Sequence, residues 1–232
     1  MKDISKLEQS IGVKFKDQEV LTQAIVHRSY INEHPEFKLD HNERLEFLGD
    51  AVLELIVTEY LYNNYPNPEG DLTNWRASLV NGSNLAKTSQ KLGIDDFLMM
   101  SKGESKDKDS KARQYILANA IEAIIGAIYL DQGIKTVKKF ITDNILSDLK
   151  EIIAQKLYID AKSNFQEKAQ EKTGVTPIYK VLESSGPDHA KTFKIGVYLD
   201  KELIATGSGT SKQEAQTEAA KKALKNKNWT EK

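Results

Sequence analysis

From Ile4 to about residue 153, apolar residues recur at steps of three and four, as in Leu45, Leu48, Val52, Leu55, Ile56 and Tyr60. That spacing stacks them on one face of an α-helix. Turn signals punctuate the pattern: the Asn-Tyr-Pro-Asn-Pro-Glu-Gly run at 64–70, Asn81-Gly82 and Gly93. The charged stretch from Ser101 to Ser110 reads as an exposed loop. Residues 1–153 are therefore expected to form an all-α domain. The pattern changes after Lys156. A helix over 161–172 is followed by short segments at 177–182, 191–199 and 202–206. In the second of these, Phe193, Ile195, Val197 and Leu199 alternate with Lys194, Gly196 and Tyr198, the period of a strand with one buried face. A last helix starts at Ser211, where Ser211-x-x-Glu214 has the form of a capping box, and it turns Ala215, Ala219, Ala220, Ala223 and Leu224 inward. The order α-β-β-β-α predicts a small α+β domain over 160–228, with 154–159 as the linker. The apolar content between Ser147 and Tyr158 favours a continuing helix over a flexible tether.

A chain of 232 residues accommodates two such cores. It has no cysteine, which excludes disulfide frameworks and thiolate zinc sites. No signal-peptide pattern opens the sequence and no run of about 18 apolar residues interrupts it, so a cytoplasmic protein without a membrane partner is expected. The net charge of −1 hides an asymmetry. Residues 159–232 carry 13 Lys and no Arg against 10 acidic residues, net +3, and the preceding part is net −4. An acidic part joined to a mildly basic one suits an enzyme that handles cations and a polyanion together, although ordinary scatter gives the same numbers.

Within His41-Asn-Glu-Arg-Leu-Glu-Phe-Leu-Gly-Asp50, the carboxylates of Glu43, Glu46 and Asp50 share one helical face. Like charges at that spacing repel, and Gly49 inside a helix costs about 1 kcal/mol against Ala. Such breaches of local stability tend to mark functional positions. Asn119 and Glu122 interrupt the otherwise apolar helix at 116–129, and a buried carboxylate there needs a cation or a hydrogen-bonding partner. If the two helices pack together, Glu46, Asp50, Asn119 and Glu122 converge into an oxygen-rich site suited to Mg²⁺ or Mn²⁺, with Gly49 and Gly126 permitting the approach. Magnesium so held keeps waters that can attack a phosphodiester. The plainer alternative leaves Glu43 and Glu46 as solvated charges and pairs Glu122 with Arg44 or Arg76.

The run Glu43-Arg-Leu-Glu-Phe-Leu-Gly-Asp-Ala51 resembles the nine-residue signature of the ribonuclease III family. The likeness extends to His27-Arg-Ser-Tyr30, Pro68-Glu69-Gly70, Lys102-Gly-Glu104 and Glu122-Ala-Ile-Ile-Gly-Ala-Ile-Tyr-Leu-Asp131. It implies an all-α nuclease domain followed by a double-stranded-RNA-binding domain. It further implies Asp50 and Glu122 as catalytic residues, Glu46, Asp50, Asn119 and Glu122 around the metal, and Glu43 and Glu69 as supporting acids. The family works as a homodimer that cuts both strands of an RNA duplex, leaving 5′-phosphate and 3′-hydroxyl ends with short 3′ overhangs, in the processing of rRNA and mRNA precursors. Phe47 resembles the apolar residue the family inserts into its partner subunit; a core aromatic is the other reading. One departure stands out: Asn119 occupies a position where the family has Asp. An amide oxygen still ligates Mg²⁺ but brings no charge, so metal affinity is expected to fall.

The same resemblance implies that Gln166 and Glu167 face one minor groove of the duplex and the Gly186-Pro187-Asp188-His189 loop the next. Duplex RNA of this shape offers sugars and phosphates more readily than base edges. Gly207-Ser-Gly-Thr-Ser211-Lys212 is expected to offer free backbone N–H groups, a helix dipole and Lys212 to a phosphate. Gln213 and Gln216 stand where the family often has basic residues, which predicts weaker binding with a shallower salt dependence. An endoribonuclease is the expected function. A duplex-binding regulator that cleaves poorly, argued from Asn119 alone, is the alternative, and a hydrolase of small phosphate compounds leaves the second domain unexplained.

Overall fold

In the computed structural model, which describes residues 2–106, 110–154, 158, 160–187 and 191–229, the periodic segments become helices and strands in two compact units, residues 1–158 and 159–232. The first unit holds helices α1 (Ile4–Ile11), α2 (Gln18–Ala24), α3 (Arg28–Glu33), α4 (Glu43–Asn64), α5 (Glu69–Val80), α6 (Gly82–Lys91), α7 (Lys102–Lys106), α8 (Lys111–Asn144) and α9 (Leu149–Ala154). The side chains of Asp3, Asp17, Asn81 and Ser110 accept backbone N–H groups at the starts of α1, α2, α6 and α8. Each satisfies a donor that the first helical turn leaves without an intrahelical partner.

Helices α4 and α8 form the centre of this unit. Leu53, Ile56, Val57 and Leu61 of α4 meet Ile121, Ile124, Ile125 and Ile128 of α8 in one core from which water is excluded. The apolar run expected to end near Tyr129 continues well beyond it. Gly133, at φ +76°, breaks the helical backbone within α8, and Val137, Phe140 and Ile141 carry the core onward. The charged stretch 101–110 contains the short helix α7, and residues 107–109 lie outside the described ones. Residues 155–157 and 159 of the expected linker lie outside the described ones, and between Ser147 and Tyr158 the described apolar residues are structural. Leu149 and Ile152 of α9 are buried, and Tyr158 meets Trp75 edge-on at 6.0 Å.

The second unit follows as α10 (Ala161–Thr173), β1 (Ile178–Ser185), β2 (Thr192–Leu199), β3 (Glu202–Gly209) and α11 (Lys212–Asn226). Its antiparallel sheet has the order β1-β2-β3, with Tyr179 opposite Val197 and Val197 opposite Ala205. Phe165 and Ala169 of α10, the inward face of β2 and the buried Ala215, Ala219, Ala220, Ala223 and Leu224 of α11 close the core. Trp229 stacks on Phe165 at 5.5 Å. β3 runs three residues further than the pattern suggests, because Gly207 lies against α11. A Cβ there would stand 2.3 Å from the carbonyl oxygen of Ala215, so only glycine lets strand and helix approach.

Candidate active site and nucleic-acid interface

The start of α4 is fixed by Asn42, which is buried. Its backbone N–H donates to Val26 at 2.9 Å, its side-chain amide donates to Ala24 at 3.2 Å, and its carbonyl accepts the N–H of Glu46 at 2.9 Å. The amide thus anchors the helix to the preceding segment instead of capping it. Two turns on, α4 crosses α8. A Cβ on Gly49 would lie 1.7 Å from the carbonyl oxygen of Glu122, and one on Gly126 would lie 2.3 Å from that of Leu45. The backbones therefore touch, which brings the residues flanking the two glycines near one another.

Those side chains are the acidic set. Glu46 is half-buried, and its carboxyl is pushed above the usual range by burial and by the nearby charges of Glu43 and Asp50, while a hydrogen bond from the Asn119 amide pulls the other way. Glu122 is also half-buried, and its carboxyl is pushed up to about 7 by burial first and then by Asp50 and Glu46. Asp50 is exposed. Two carboxyls raised by burial and by acidic neighbours mark a site short of positive charge. In kind the donors fit a hard divalent cation, since they are oxygens only. Among the described residues, no three His, Asp or Glu side chains are arranged to hold a metal as they stand.

Glu43, one turn earlier, is tied to other partners, Arg28 at 3.5 Å and His41 at 3.8 Å. His27 lies near enough to Glu104, Glu43 and Arg28 to feel their charges. The motifs at 27–30 and 102–104 therefore meet beside the start of α4. Glu69 opens α5 and accepts the Thr73 hydroxyl at 3.0 Å in a groove lined by Thr58, Tyr62, Tyr65 and Arg76. Arg76 does not reach Glu122: it bonds Glu54 at 3.0 Å and Thr58 at 2.9 Å. The pairing of Glu122 with Arg76 is thereby removed. Phe47 is 81% exposed, which excludes a core role, and it borders a groove lined by Gln23, His41, Arg44, Leu48 and Leu130. Anchoring by Asn42 was missed from the sequence, where an asparagine before a helix reads as an ordinary cap.

On the second unit, Gln166 and Glu167 are exposed on α10 and line a shallow groove with Gln170 and Glu171. Pro187 is exposed after Gly186, whose φ is +91°, and His189 lies outside the described residues. Ser211 caps α11, its hydroxyl accepting the Glu214 N–H at 3.1 Å. The expected free N–H groups are not free. The Glu214 carboxylate takes the N–H and hydroxyl of Thr210 at 2.8 and 2.7 Å, and the Glu218 carboxylate takes the N–H of Ser208. The cause is local: β3 extends to Gly209, so these groups lie over the first two turns of α11, where two glutamates reach them. Lys212 extends over the Phe193 ring, 5.9 Å from its centroid.

An acidic oxygen site on an all-α unit, joined to an α-β-β-β-α module whose last helix carries lysines, defines a two-domain enzyme of nucleic acids. Residues 17–149 match the family described as ribonuclease-III-like, and residues 161–227 match the double-stranded RNA binding motif. The chain is 43% identical over 226 residues to a ribonuclease 3 from a Nitratiruptor species, covering 97% of each chain. It is 45% identical over 223 residues to that of Carboxydothermus hydrogenoformans, covering 96% of this chain and 94% of the other. The nuclease domain of ribonuclease III from Campylobacter jejuni, described as having a region involved in dimer formation, superposes with a TM-score of 0.54 at 41% identity. That match covers 62% of this chain and 97% of the other. This chain belongs to the ribonuclease III family. No helix among the described residues is long and apolar enough to cross a membrane.

Proposed function

We infer that this chain is an endoribonuclease that hydrolyses phosphodiester bonds of double-stranded RNA, leaving 5′-phosphate and 3′-hydroxyl ends with short 3′ overhangs. The observation that carries this reading is the convergence of Glu46, Asp50, Asn119 and Glu122 at the Gly49–Gly126 crossing. Mg²⁺, or Mn²⁺ in its place, would supply an activated water and neutralise charge on the phosphate. Glu46, Asp50 and Glu122 would hold it through carboxylate oxygens. Asn119 would contribute its amide oxygen while its NH₂ orients Glu46, and Glu43 and Glu69 would add negative field at a greater remove. Asp50 and Glu122 are the residues assigned to the chemistry. Gln166, Glu167, Pro187, His189, Ser211 and Lys212 would hold the duplex. A homodimer built by seating the exposed Phe47 in the partner's copy of the neighbouring groove would give each strand one site. The cellular setting that fits is the cytoplasm, with rRNA and mRNA precursors as substrates.

The non-cleaving alternative rested on Asn119. Three carboxylates remain in the site and the amide is engaged with one of them, so the nuclease reading is preferred. Cleavage of a long perfect RNA duplex, with Mg²⁺ and then Mn²⁺ titrated in, tests it. The unmodified chain should cut, and Asn119→Asp should lower the Mg²⁺ concentration for half-maximal rate by roughly tenfold, because a fourth carboxylate strengthens the site. An unmodified chain that binds duplex and never cuts, while Asn119→Asp cuts, would sink the reading. A separate expectation concerns α11: Gln213→Lys should tighten duplex binding and steepen the log–log salt slope by about one, measured by fluorescence anisotropy from low to moderate salt.

A further inference from the structure

Tyr115 stands out on α8. It is 68% exposed, which is unusual for a tyrosine on the helix that forms the centre of the fold. Among the described residues its ring makes no aromatic or cation contact and its hydroxyl no hydrogen bond. Its register is the second observation. Tyr115, Asn119 and Glu122 follow one another at steps of four and three, so all three lie on one stripe of α8. Side chains on a helix lean toward its N-terminus, so Tyr115 flanks the acidic site and does not cover it. The aromatic group thus stands one turn before Asn119 and about two turns before Glu122, and is left open to solvent.

We propose that Tyr115 is a substrate-positioning residue that hydrogen-bonds, through its phenolic hydroxyl, to the ribose 2′-hydroxyl of a nucleotide next to the bond being cut. This rests on the nuclease reading above and deepens it by assigning a group that tells RNA from DNA at the site. The chemistry favours the sugar over the base. In a duplex the base faces are stacked and closed to a ring, whereas the shallow minor groove displays 2′-hydroxyls, each both donor and acceptor, as the phenol is. The residue touches no reacting atom in this assignment, so it acts on binding and registration of the duplex.

The test compares the full chain with Tyr115→Phe and Tyr115→Ala on a short RNA duplex cut at one defined place. The same duplex is also made with single 2′-deoxynucleotides at each position flanking the cut on either strand. Tyr115→Phe should raise KM by about three- to tenfold, the loss of one hydrogen bond, with kcat and melting temperature unchanged. For the unmodified chain one deoxy position should raise KM by the same factor, and for Tyr115→Phe that position should add nothing further. Tyr115→Ala should lose at least as much as Tyr115→Phe. Equal KM for all three proteins overturns the assignment, as does a deoxy effect that adds in full to that of Tyr115→Phe. A Tyr115→Ala chain that sediments as a smaller species than the unmodified one also overturns it, placing the ring in contact with a second copy. If the unmodified chain does not cut at all, the nuclease reading fails and the assignment falls with it; failure of the Tyr115 variants alone to differ leaves that reading standing.

Discussion

Gly49→Ala should cost roughly 3 kcal/mol or more of stability and, in whatever fraction folds, most of the cleavage activity. On propensity alone the change would help, since alanine is favoured over glycine inside a helix by about 1 kcal/mol. The crossing reverses the sign. The added Cβ would meet the Glu122 carbonyl at 1.7 Å and the backbone N–H of Gly126 at 2.9 Å, and neither is the end of a side chain that can swing away. Helices α4 and α8 would have to separate, opening the core between them and drawing Glu46 and Asp50 away from Glu122. Urea unfolding of the two proteins, beside their rates on duplex RNA, measures both consequences. Stability within about 0.5 kcal/mol of the unmodified chain would mean that the helices do not touch at Gly49. Gly126→Ala, aimed at the carbonyl of Leu45 from the other side, should behave alike.

That crossing was legible in the sequence because two signals coincide there. Glycine within an amphipathic helix is costly, and it stands next to carboxylates that repel; a close approach at a functional site uses both, although solvated charges fitted the spacing as well. The alternation in β2 and the alanine face of α11 were legible for the same kind of reason: period alone fixes which side chains face inward. What escaped depends on contacts between distant segments. Asn42 bonds to Ala24 and Val26, and Arg76 chooses Glu54 and Thr58, because of how helices pack, which no local pattern records. Glu214 and Glu218 reach back to Thr210 and Ser208 because β3 is longer than its apolar residues suggest. The raised position of Glu122 was half legible. The sequence makes a carboxylate in an apolar helix conspicuous, but only the fold sets Asp50 and Glu46 beside it.

Glu122→Gln should slow cleavage by orders of magnitude and at the same time stabilise the cation-free protein above neutral pH. The ordinary glutamate value of 4.5 moves to about 7 in the fold, through burial first and then the charges of Asp50 and Glu46. Between those values the folded chain holds a proton that the unfolded chain has released. Stability must therefore fall as pH rises from about 4.5 to about 7, with the contribution fully present below that window and lost above it. A shift of this size corresponds to about 3 kcal/mol at most, and to roughly half that for a half-buried group screened by water. Glutamine cannot ionise, so Glu122→Gln should remove most of this slope and gain about 1–2 kcal/mol at about pH 8 in a chelating buffer. Glu46, raised for similar reasons, leaves a weaker slope of the same sign. Added Mg²⁺ should flatten the slope of the unmodified chain, since a cation favours the ionised carboxylates, and should do less for the variant. Rate on duplex RNA should drop on the order of 10³-fold, because a group aimed at the reacting charge is lost while the fold is kept. Chemical denaturation at about pH 5 and about pH 8, with and without Mg²⁺, gives the comparison needed. Parallel pH slopes for the two proteins would show that Glu122 is not the group whose charge the fold resists, and the link between strain in this site and its use of a cation would be lost.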